Sequence, residues 1–486
     1  MRRVGRSIYL GKGKTFQKRE SVGKLISLLE QKEKCEIING GVIMRLKMSR
    51  IVVVGFMIAF LVGCFAPAEA VPPAFTEKTY KGVTLRFIAE AVPPTEALIK
   101  LLPKFEKVSG MKVIVEQYPY DHVVEKTMMD LAGKTRIYDV LSVPYEYLGQ
   151  LVEMGYIMPI KKFMKDPELR DPEIDVADYI EGMWKASAEW KGKLYGFPSN
   201  SCIMFVWYRR DLLEDPVERE TFKEKYGYYY SIPPTNWIEY RDVAEFFTRP
   251  EERLYGVALQ AKRHTALTCE WMNYMWSFGG SVLDEEGNPV INSPENVEAL
   301  EYFVSLLPFA PPGSTTYTWD EVTTAFQKGR VVMAIQWNDQ AFGVEDPAKS
   351  EVAGKMSYGP VPVKKQPAAH FGAWSYFIPK LSKHPEAAYL FMQWATSKKV
   401  QIELARIGMV PSRSSSFLDP EVRKIPFFYP ATLAALEISN YRPRIPEWPE
   451  MESKMQLAIS QALAGEKTSK EALDWLQKEY LKILGK

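Results

Sequence analysis

The chain has few residues of the kinds that build metal sites and disulfide frameworks. Its 486 residues include only four cysteines, at positions 35, 64, 202 and 269, and four histidines. No two cysteines form a CxxC pair, and neither HExxH nor GxSxG occurs. We therefore expect no metal ion, no cofactor and no catalytic residue.

Neither positive nor negative charge predominates in the chain. The formal net charge is only +2, so nothing in the charge balance favours nucleic acid as a partner. Aromatic residues, in contrast, are abundant, with 12 Trp, 26 Tyr and 24 Phe. Such rings fill protein cores, and they also stack on the apolar faces of flat ligands. The length exceeds what one core usually supports and predicts two or more lobes.

Residues 51–64 (IVVVGFMIAFLVGC) form an uncharged apolar run. About 20 residues are needed to span a bilayer as a helix, so this run is short. Three basic residues between positions 45 and 50 precede it, as in a secretory signal. The exit Leu-Val-Gly-Cys64 resembles a bacterial lipobox, which predicts lipidation of Cys64. Cleavage after Ala70, in Ala-Glu-Ala, is the competing reading, and a buried core helix is a third.

Residues 1–43 precede this signal, although a secretory signal normally lies at the start of the chain. The stretch NGGVIM at 39–44 is compatible with a ribosome-binding sequence followed by a start codon. We therefore interpret 1–43 as a mis-annotated leader, 44–64 as the signal peptide and 65–80 as a linker. Translation would begin at Met44 or Met48. A disordered basic leader is the alternative.

The chain after residue 80 begins with alternating strand and helix patterns. Apolar periodicity predicts strands and helices in the order β-α-β-α-β, at 83–89, 98–110, 112–116, 123–132 and 138–143. This order indicates a parallel sheet with helices on both faces. Ligands of such sheets bind beyond the carboxyl ends of the strands, which here are Glu90 and residues 144–146.

A long extended stretch at 193–208, interrupted by Pro198, predicts a crossing between two lobes. A second α/β series follows it, with an aromatic helix at 265–278 and a buried strand that ends at Gln336. The acidic stretch 284–286 precedes Gly-Asn-Pro and is interpreted as a hairpin turn rather than as paired catalytic carboxylates.

Several polar and aromatic residues follow predicted strands and are candidates for ligand contact. Trp337, Asn338 and Asp339 could combine an indole for stacking with two groups that bind vicinal hydroxyls. Gly372 and Trp374 offer a close backbone approach beside a ring. Trp271 of the aromatic helix could reach a ligand, as could Arg442 and Trp448 in a proline-stiffened loop. For each of these residues a purely structural role in the core remains open.

The chain resembles the extracellular solute-binding proteins of ABC importers, in the family that holds maltose-, oligosaccharide- and polyol-binding members. The resemblance covers about residues 83–486. It is carried by blocks in the expected order, among them YDVL at 138–141, GKLYGFP at 192–198, WYRRD at 207–211, AFQKGR at 325–330, PAKSEVAGK at 347–355 and RPRIPEW at 442–448.

The resemblance implies an α/β fold of the periplasmic-binding-protein type II, with two α/β lobes, a hinge and a central cleft. By analogy, lobe I would comprise 81–200 and 374–430, and lobe II 204–370 and 431–486. Together with the strand ends, it gives this set of ligand-binding residues: Glu90, Tyr145, Glu146, Asn200, Trp271, Trp337, Asn338, Asp339, Gly372, Trp374, Arg442 and Trp448.

The expected function is capture of a carbohydrate or polyol outside the cytoplasmic membrane and its delivery to the permease subunits of the importer. The protein would be a monomer, held at the membrane through Cys64, and not an enzyme. Two alternatives remain: a secreted carbohydrate-active hydrolase or lyase, and a binding protein of the same fold for a non-sugar ligand.

Overall fold

A computed structural model describes residues 80–425 and 427–486. The leader, the predicted signal peptide and Cys64 lie outside these described residues. Within them, no helix is both long enough and apolar enough to cross a membrane.

The strands alternate with helices along much of the chain. In chain order they are β1 (Thr84–Glu90), β2 (Lys112–Tyr118), β3 (Val140–Pro144), β4 (Glu189–Trp190), β5 (Lys193–Leu194), β6 (Gly196–Asn200), β7 (Met204–Arg209), β8 (Tyr255–Val257), β9 (Val331–Trp337), β10 (Met356–Gly359), β11 (Ala369–His370), β12 (Trp374–Phe377) and β13 (Ser439–Asn440).

The α-helices differ widely in length. They are α1 (Pro93–Ser109), α2 (Tyr120–Gly133), α3 (Leu148–Glu153), α4 (Lys161–Lys165), α5 (Glu181–Met183), α6 (Arg210–Leu213), α7 (Pro216–Tyr226), α8 (Trp237–Phe246), α9 (Thr265–Ser277), α10 (Pro294–Ser305), α11 (Trp319–Gln327), α12 (Ala341–Val344), α13 (Pro385–Ala395), α14 (Lys398–Ala405), α15 (Leu433–Glu437), α16 (Trp448–Leu463) and α17 (Ser469–Leu484).

The first sheet has five strands in the order β2-β1-β3-β12-β6. Strands β1, β2 and β3 are parallel, as the β-α-β-α-β pattern predicted. Strand β12 is antiparallel to both β3 and β6, and the predicted β-α-β-α-β pattern did not include this strand. The reason is topological, because β12 enters from the distant second half of the chain and local periodicity carries no sign of its direction.

The second sheet has four strands in the order β10-β7-β9-β8. The chain reaches it from the first sheet through residues 201–203, between β6 and β7. Pro198 lies within β6 opposite Ser375, so the predicted interruption at Pro198 was wrong by a few residues. A second passage, at 371–373, runs beside the first, since Ile203 forms an isolated bridge with Phe371.

Local sequence explains the helices that flank the first sheet. Helix α1 buries Leu98, Leu101, Leu102 and Phe105 at helical spacing. It ends at Gly110, whose φ of 72° is left-handed and suits glycine. This apolar stripe packs with Leu85 and Phe87 of β1 in one core, and thereby fixes where the carboxyl end of β1 lies.

The second sheet is covered by helices with more aromatic residues. Every residue of α9 is buried, which matches the predicted aromatic helix and explains why it shows no polar face. Side chains cap two of these helices: Ser293 accepts a hydrogen bond from the backbone N–H of Asn296, and Thr468 and Glu471 form a capping box at the start of α17. Asp284 and Asn288 form the predicted turn, closed by a single bridge between Leu283 and Pro289 rather than by two strands.

Candidate functional site

The carboxyl end of β1 places Glu90 in a small cavity of about 20 Å³. Glu90 itself is 93% buried, since its exposed fraction is 7%. A cavity of this size has room for about one water molecule. Polar and apolar residues share the wall around Glu90, and the lining consists of Glu90, Val92, Pro94, Thr95, Ser142, Ser199, Asn200, Trp374, Tyr376 and Met409.

Asn200 and Asp339 meet across the passage between the two sheets. The Asn200 Nδ2 group donates to Asp339 Oδ2 over 3.2 Å, and the Cys202 thiol donates to the same oxygen over 3.2 Å. Asn200 Oδ1 accepts from the backbone N–H of Val410. The end of β6 and the end of β9 are thus joined through side chains.

The electrostatic setting of these acids is unusual. Burial, followed by the nearby Asp339 carboxylate, raises the pKa of Glu90 well above its ordinary value. Burial also raises the pKa of Asp339, although hydrogen bonds from Cys202 and Asn200 act in the opposite direction. The Cys202 thiol is buried as well, and its pKa is raised well above the usual range. Both carboxyl groups therefore hold a proton at higher pH than exposed acids do.

The passage at 371–373 brings its backbone against the indole of Trp337, whereas the approach of Gly372 to a ligand stays a prediction. The Gly372 N–H donates to the backbone oxygen of Cys202 over 2.8 Å. A Cβ at position 372 would lie 2.9 Å from Cη2 and Cζ3 of Trp337, closer than packed carbon atoms approach. Trp337 in turn contacts the ring of His370 edge-on, with centroids 5.4 Å apart. There is thus no room for a side chain at position 372, which explains the glycine there.

Trp374 connects the cavity to a group of rings that the sequence did not single out. Its ring lies 5.9 Å from that of Tyr120, edge-on, and Tyr120 also contacts the rings of Trp319 and His264. Tyr120 is the first residue of α2, two positions after β2 ends at Tyr118. The strand-end rule that gave Glu90 would also have found it.

His264 links the helices beyond the two sheets. It precedes α9, and its Nδ1 accepts the backbone N–H of Ala266 over 3.0 Å. Because Nδ1 is an acceptor, the proton of the neutral ring lies on Nε2, which is 3.3 Å from Asp121 Oδ1 in α2. This hydrogen bond lowers the pKa of Asp121.

Arg442 is the centre of a buried ionic cluster, which we call the Arg442 network. Its Nη2 lies 2.7 Å from Glu146 Oε1 and its Nη1 lies 3.0 Å from Glu452 Oε1. Nη1 also donates to Thr265 Oγ1, and the backbone N–H of Arg442 donates to the Tyr145 hydroxyl. The predicted residues Tyr145, Glu146 and Arg442 do come together, but their polar groups bind one another. Tyr120 ties the network to the cavity by donating to Glu146 Oε1 over 2.8 Å.

Three other candidate residues lie within the packing of the chain. The amide of Asn338 is used by the protein itself: its oxygen accepts the Ile203 N–H, and its nitrogen donates to Ser201 and Thr432. Trp271 and Trp448 are fully buried in the core of the second sheet and its helices. The structure does not bring these two indoles to the wall of the Glu90 cavity.

The site therefore has two parts. Glu90, Asn200 and Trp374 line the cavity at strand ends, and Asp339 is hydrogen-bonded to Asn200. We call these four residues the Glu90 cluster; Trp337 and Gly372 are near neighbours of Asp339 and Trp374 in the chain. Hydroxyl, amide and carboxyl groups close to an indole suit a polyhydroxylated ligand. Within the described residues, no group of three or more His, Cys, Asp or Glu side chains is arranged to hold a metal ion.

Solved structures share this fold. A solute-binding protein of Agrobacterium radiobacter K84 in complex with ribitol is 31% identical and aligns over 83% of this chain and 99% of its own, with a TM-score of 0.75. Maltose-bound MalE3 of T. maritima is 25% identical over 82% and 99% of the two chains, with a TM-score of 0.72. These similarities confirm the predicted fold, a periplasmic-binding-protein-like structure of type II.

Two sequence relatives are also described as binding proteins. A probable amino-acid ABC transporter periplasmic-binding protein of Sinorhizobium fredii is 24% identical over 82% of this chain and 89% of its own. The mannitol-binding protein of Pseudomonas aeruginosa is 24% identical over 72% and 81%. The model of the family described as bacterial extracellular solute-binding protein matches residues 91–402. With a match over more than half of its length, the chain belongs to the family of bacterial extracellular solute-binding proteins.

Proposed function

We propose that the protein captures a sugar or polyol outside the cytoplasmic membrane and delivers it to the permease of an ABC importer. The observation that carries this proposal is the Glu90 cluster, in which carboxyl and amide groups face the same cavity as the indole of Trp374. Proteins with this fold bind ribitol and maltose in their solved structures, which supports a ligand of that class.

In this proposal the contacts to ligand come from Glu90, Asn200, Trp337, Asp339, Gly372 and Trp374. Tyr145, Glu146 and Arg442 support the site from behind, because their polar groups are engaged with one another. A sugar is far larger than one water molecule, so it could enter beside Glu90 only if the surrounding elements separate. We propose hinged movement of two lobes, 81–200 with 374–430 and 204–370 with 431–486, about the passages at 201–203 and 371–373.

We further propose that the protein acts as a monomer without enzymatic activity, anchored through a lipid on Cys64. The lipobox-like sequence Leu-Val-Gly-Cys supports the anchor. Membrane association should survive high salt and be lost in Cys64→Ala. Wild-type behaviour of that variant would favour cleavage after Ala70 instead.

The central test is a thermal-shift screen of the purified protein against sugars and polyols, with ribitol, mannitol and maltose included. Binding should raise the melting temperature and quench tryptophan fluorescence, and Trp374→Ala should lose most of both effects. A broad panel with no shift would refute the sugar proposal. Product formation from an oligosaccharide would favour the hydrolase alternative, and a shift with amino acids alone would favour a non-sugar ligand.

A further inference from the structure

Acidic groups surround Glu90. The largest electrostatic influences on its carboxyl group come from four acids, Asp339, Asp320, Glu146 and Asp121. No Lys or Arg lines the cavity. The guanidinium of Arg442 is already engaged with Glu146, Glu452 and Thr265. The cavity wall thus supplies no cation to offset these acids.

Glu90 also lacks a partner for its side chain. It is 93% buried, and among the residues that the structure describes none forms a hydrogen bond with its carboxyl group. Buried carboxyl groups are normally hydrogen-bonded or paired. The neighbouring Asp339 shows the contrast, because Asn200 and Cys202 both donate to it. Glu90 therefore presents an unused acceptor to whatever fills the cavity.

The same cavity offers a second feature that attracts cations. The indole of Trp374 lines it together with Glu90, and the ring of Tyr120 meets that indole edge-on. The face of an aromatic ring attracts an ammonium group, most strongly where water is excluded. A carboxyl group without a partner in the same cavity as an indole is thus suited to a positively charged nitrogen.

We propose that the ligand is a polyhydroxylated molecule that bears a protonated amino group, an amino sugar or an amino polyol, with Glu90 as its counter-ion. This inference rests on the proposed function and narrows the ligand class. The ammonium group donates to Glu90 and lies against Trp374, while hydroxyl groups bind Asn200 and Asp339. An anionic ligand is disfavoured, because it would add to the negative charge.

The test is isothermal titration of the full-length protein with matched pairs: sorbitol against 1-amino-1-deoxysorbitol, and glucose against glucosamine. At pH 7 we expect at least one amine to bind tenfold or more tightly than its neutral partner. Neutral ligands that bind as tightly as their amines, or more tightly, would overturn the inference and leave the proposed function intact. If no member of either pair and no sugar in the wider screen bound, both would fail.

Glu90→Gln supplies the second arm, because it removes the charge and keeps the shape. It should reduce amine affinity at least tenfold and reduce neutral-ligand affinity by a clearly smaller factor. Glu116→Gln, on neighbouring β2 and paired with Arg86 outside the cavity, should leave both affinities unchanged. In the wild type, affinity for 1-amino-1-deoxysorbitol should rise with pH as Glu90 ionises, and this slope should vanish in Glu90→Gln. Equal losses for both ligand types, or a slope that persists in that variant, would contradict the inference.

Discussion

The Glu90 cluster and the Arg442 network are both buried and acidic, yet they use their charges differently. In the network, Arg442 forms two ion pairs, one with the carboxylate of Glu146 and one with that of Glu452. In the cluster, Glu90 has no partner among the described residues, and its nearest charges repel it. A cation paired on both sides fixes structure, whereas a carboxyl group without a partner leaves interaction energy for a ligand. The presence of a pairing cation, rather than burial, therefore distinguishes the supporting network from the site.

The sharpest test of this difference removes the centre of the network. Arg442→Met leaves Glu146 and Glu452 buried without their cation, and breaking a buried ion pair in this way costs about 3–5 kcal/mol. We expect a large drop in the free energy of unfolding, measured by urea denaturation. Glu90→Gln, which removes charge from the cluster, should not destabilise the protein. If both variants lost a similar amount of free energy of unfolding, the stated difference between the network and the cluster would be wrong.

Glu270 shows what burial alone does to an acid. It lies in the core on α9, where Gln260 and Tyr274 donate to it, and burial raises its pKa from 4.5 to about 8. The folded state therefore binds a proton more tightly than the unfolded state does. Stability should fall as pH rises from about 4.5 to about 8, by at most about 1.4 kcal/mol per pH unit.

Glu270→Gln should remove this dependence. We expect the variant to gain stability relative to the wild type between pH 5 and pH 8, as measured by chemical denaturation at both values. Ligand affinity should not follow the same trend, since Glu270 does not line the Glu90 cavity. A stability difference that stays constant with pH would show that Glu270 is ionised in the folded protein.

Gly372→Ala tests the close approach behind the cluster. The added methyl group would lie 2.9 Å from the ring of Trp337, and overpacking of this kind costs about 1–3 kcal/mol. Ligand affinity should fall as well, because the indole must move. Gly343→Ala is the matched control, since its nearest heavy atom would be 3.4 Å away, and it should be nearly neutral. The prediction fails if the two variants have equal melting temperatures.

The smallest effect is expected at His264. His264→Ala removes the cap of α9 and the contact with Asp121, and lost caps cost about 1 kcal/mol. Asp121→Ala removes only the contact. If this contact favours the closed form, both variants should weaken binding of every ligand by the same factor. Titration with several ligands checks this, and a changed order of affinities would instead place His264 in direct contact with ligand.

Sequence reasoning found the strand ends and could not see which side chains were already engaged. Glu90 and Asp339 were reached from strand positions, because parallel strands direct their carboxyl ends to one edge. Trp374 begins the antiparallel strand β12 and was named for its place beside Gly372 and from the family resemblance. Asn338, between Trp337 and Asp339, also follows a strand, but its amide binds Ser201 and Thr432, which are distant in sequence. Hydrogen-bond partners of this kind depend on the tertiary structure.

The dependence on tertiary structure also limits what the sequence predicts about the fold. Periodicity gave β1, β2 and β3 with the helices between them, because those signals are local. The direction of β12 depends on a chain reversal more than 200 residues after β3 begins, and no local pattern records it. Helical spacing could not show whether Trp271 packs in the core or contacts a ligand, because every face of its helix is buried.

The volume of the Glu90 cavity has a kinetic consequence. A form of the protein with space for about one water molecule beside Glu90 can neither accept a sugar nor release one. If the proposed hinged movement opens the site, this form must open before a ligand can enter, so that the rate of binding reaches a ceiling however much ligand is supplied. The opening rate of the empty protein, rather than the concentration of ligand, would then limit how fast molecules are captured for the permease.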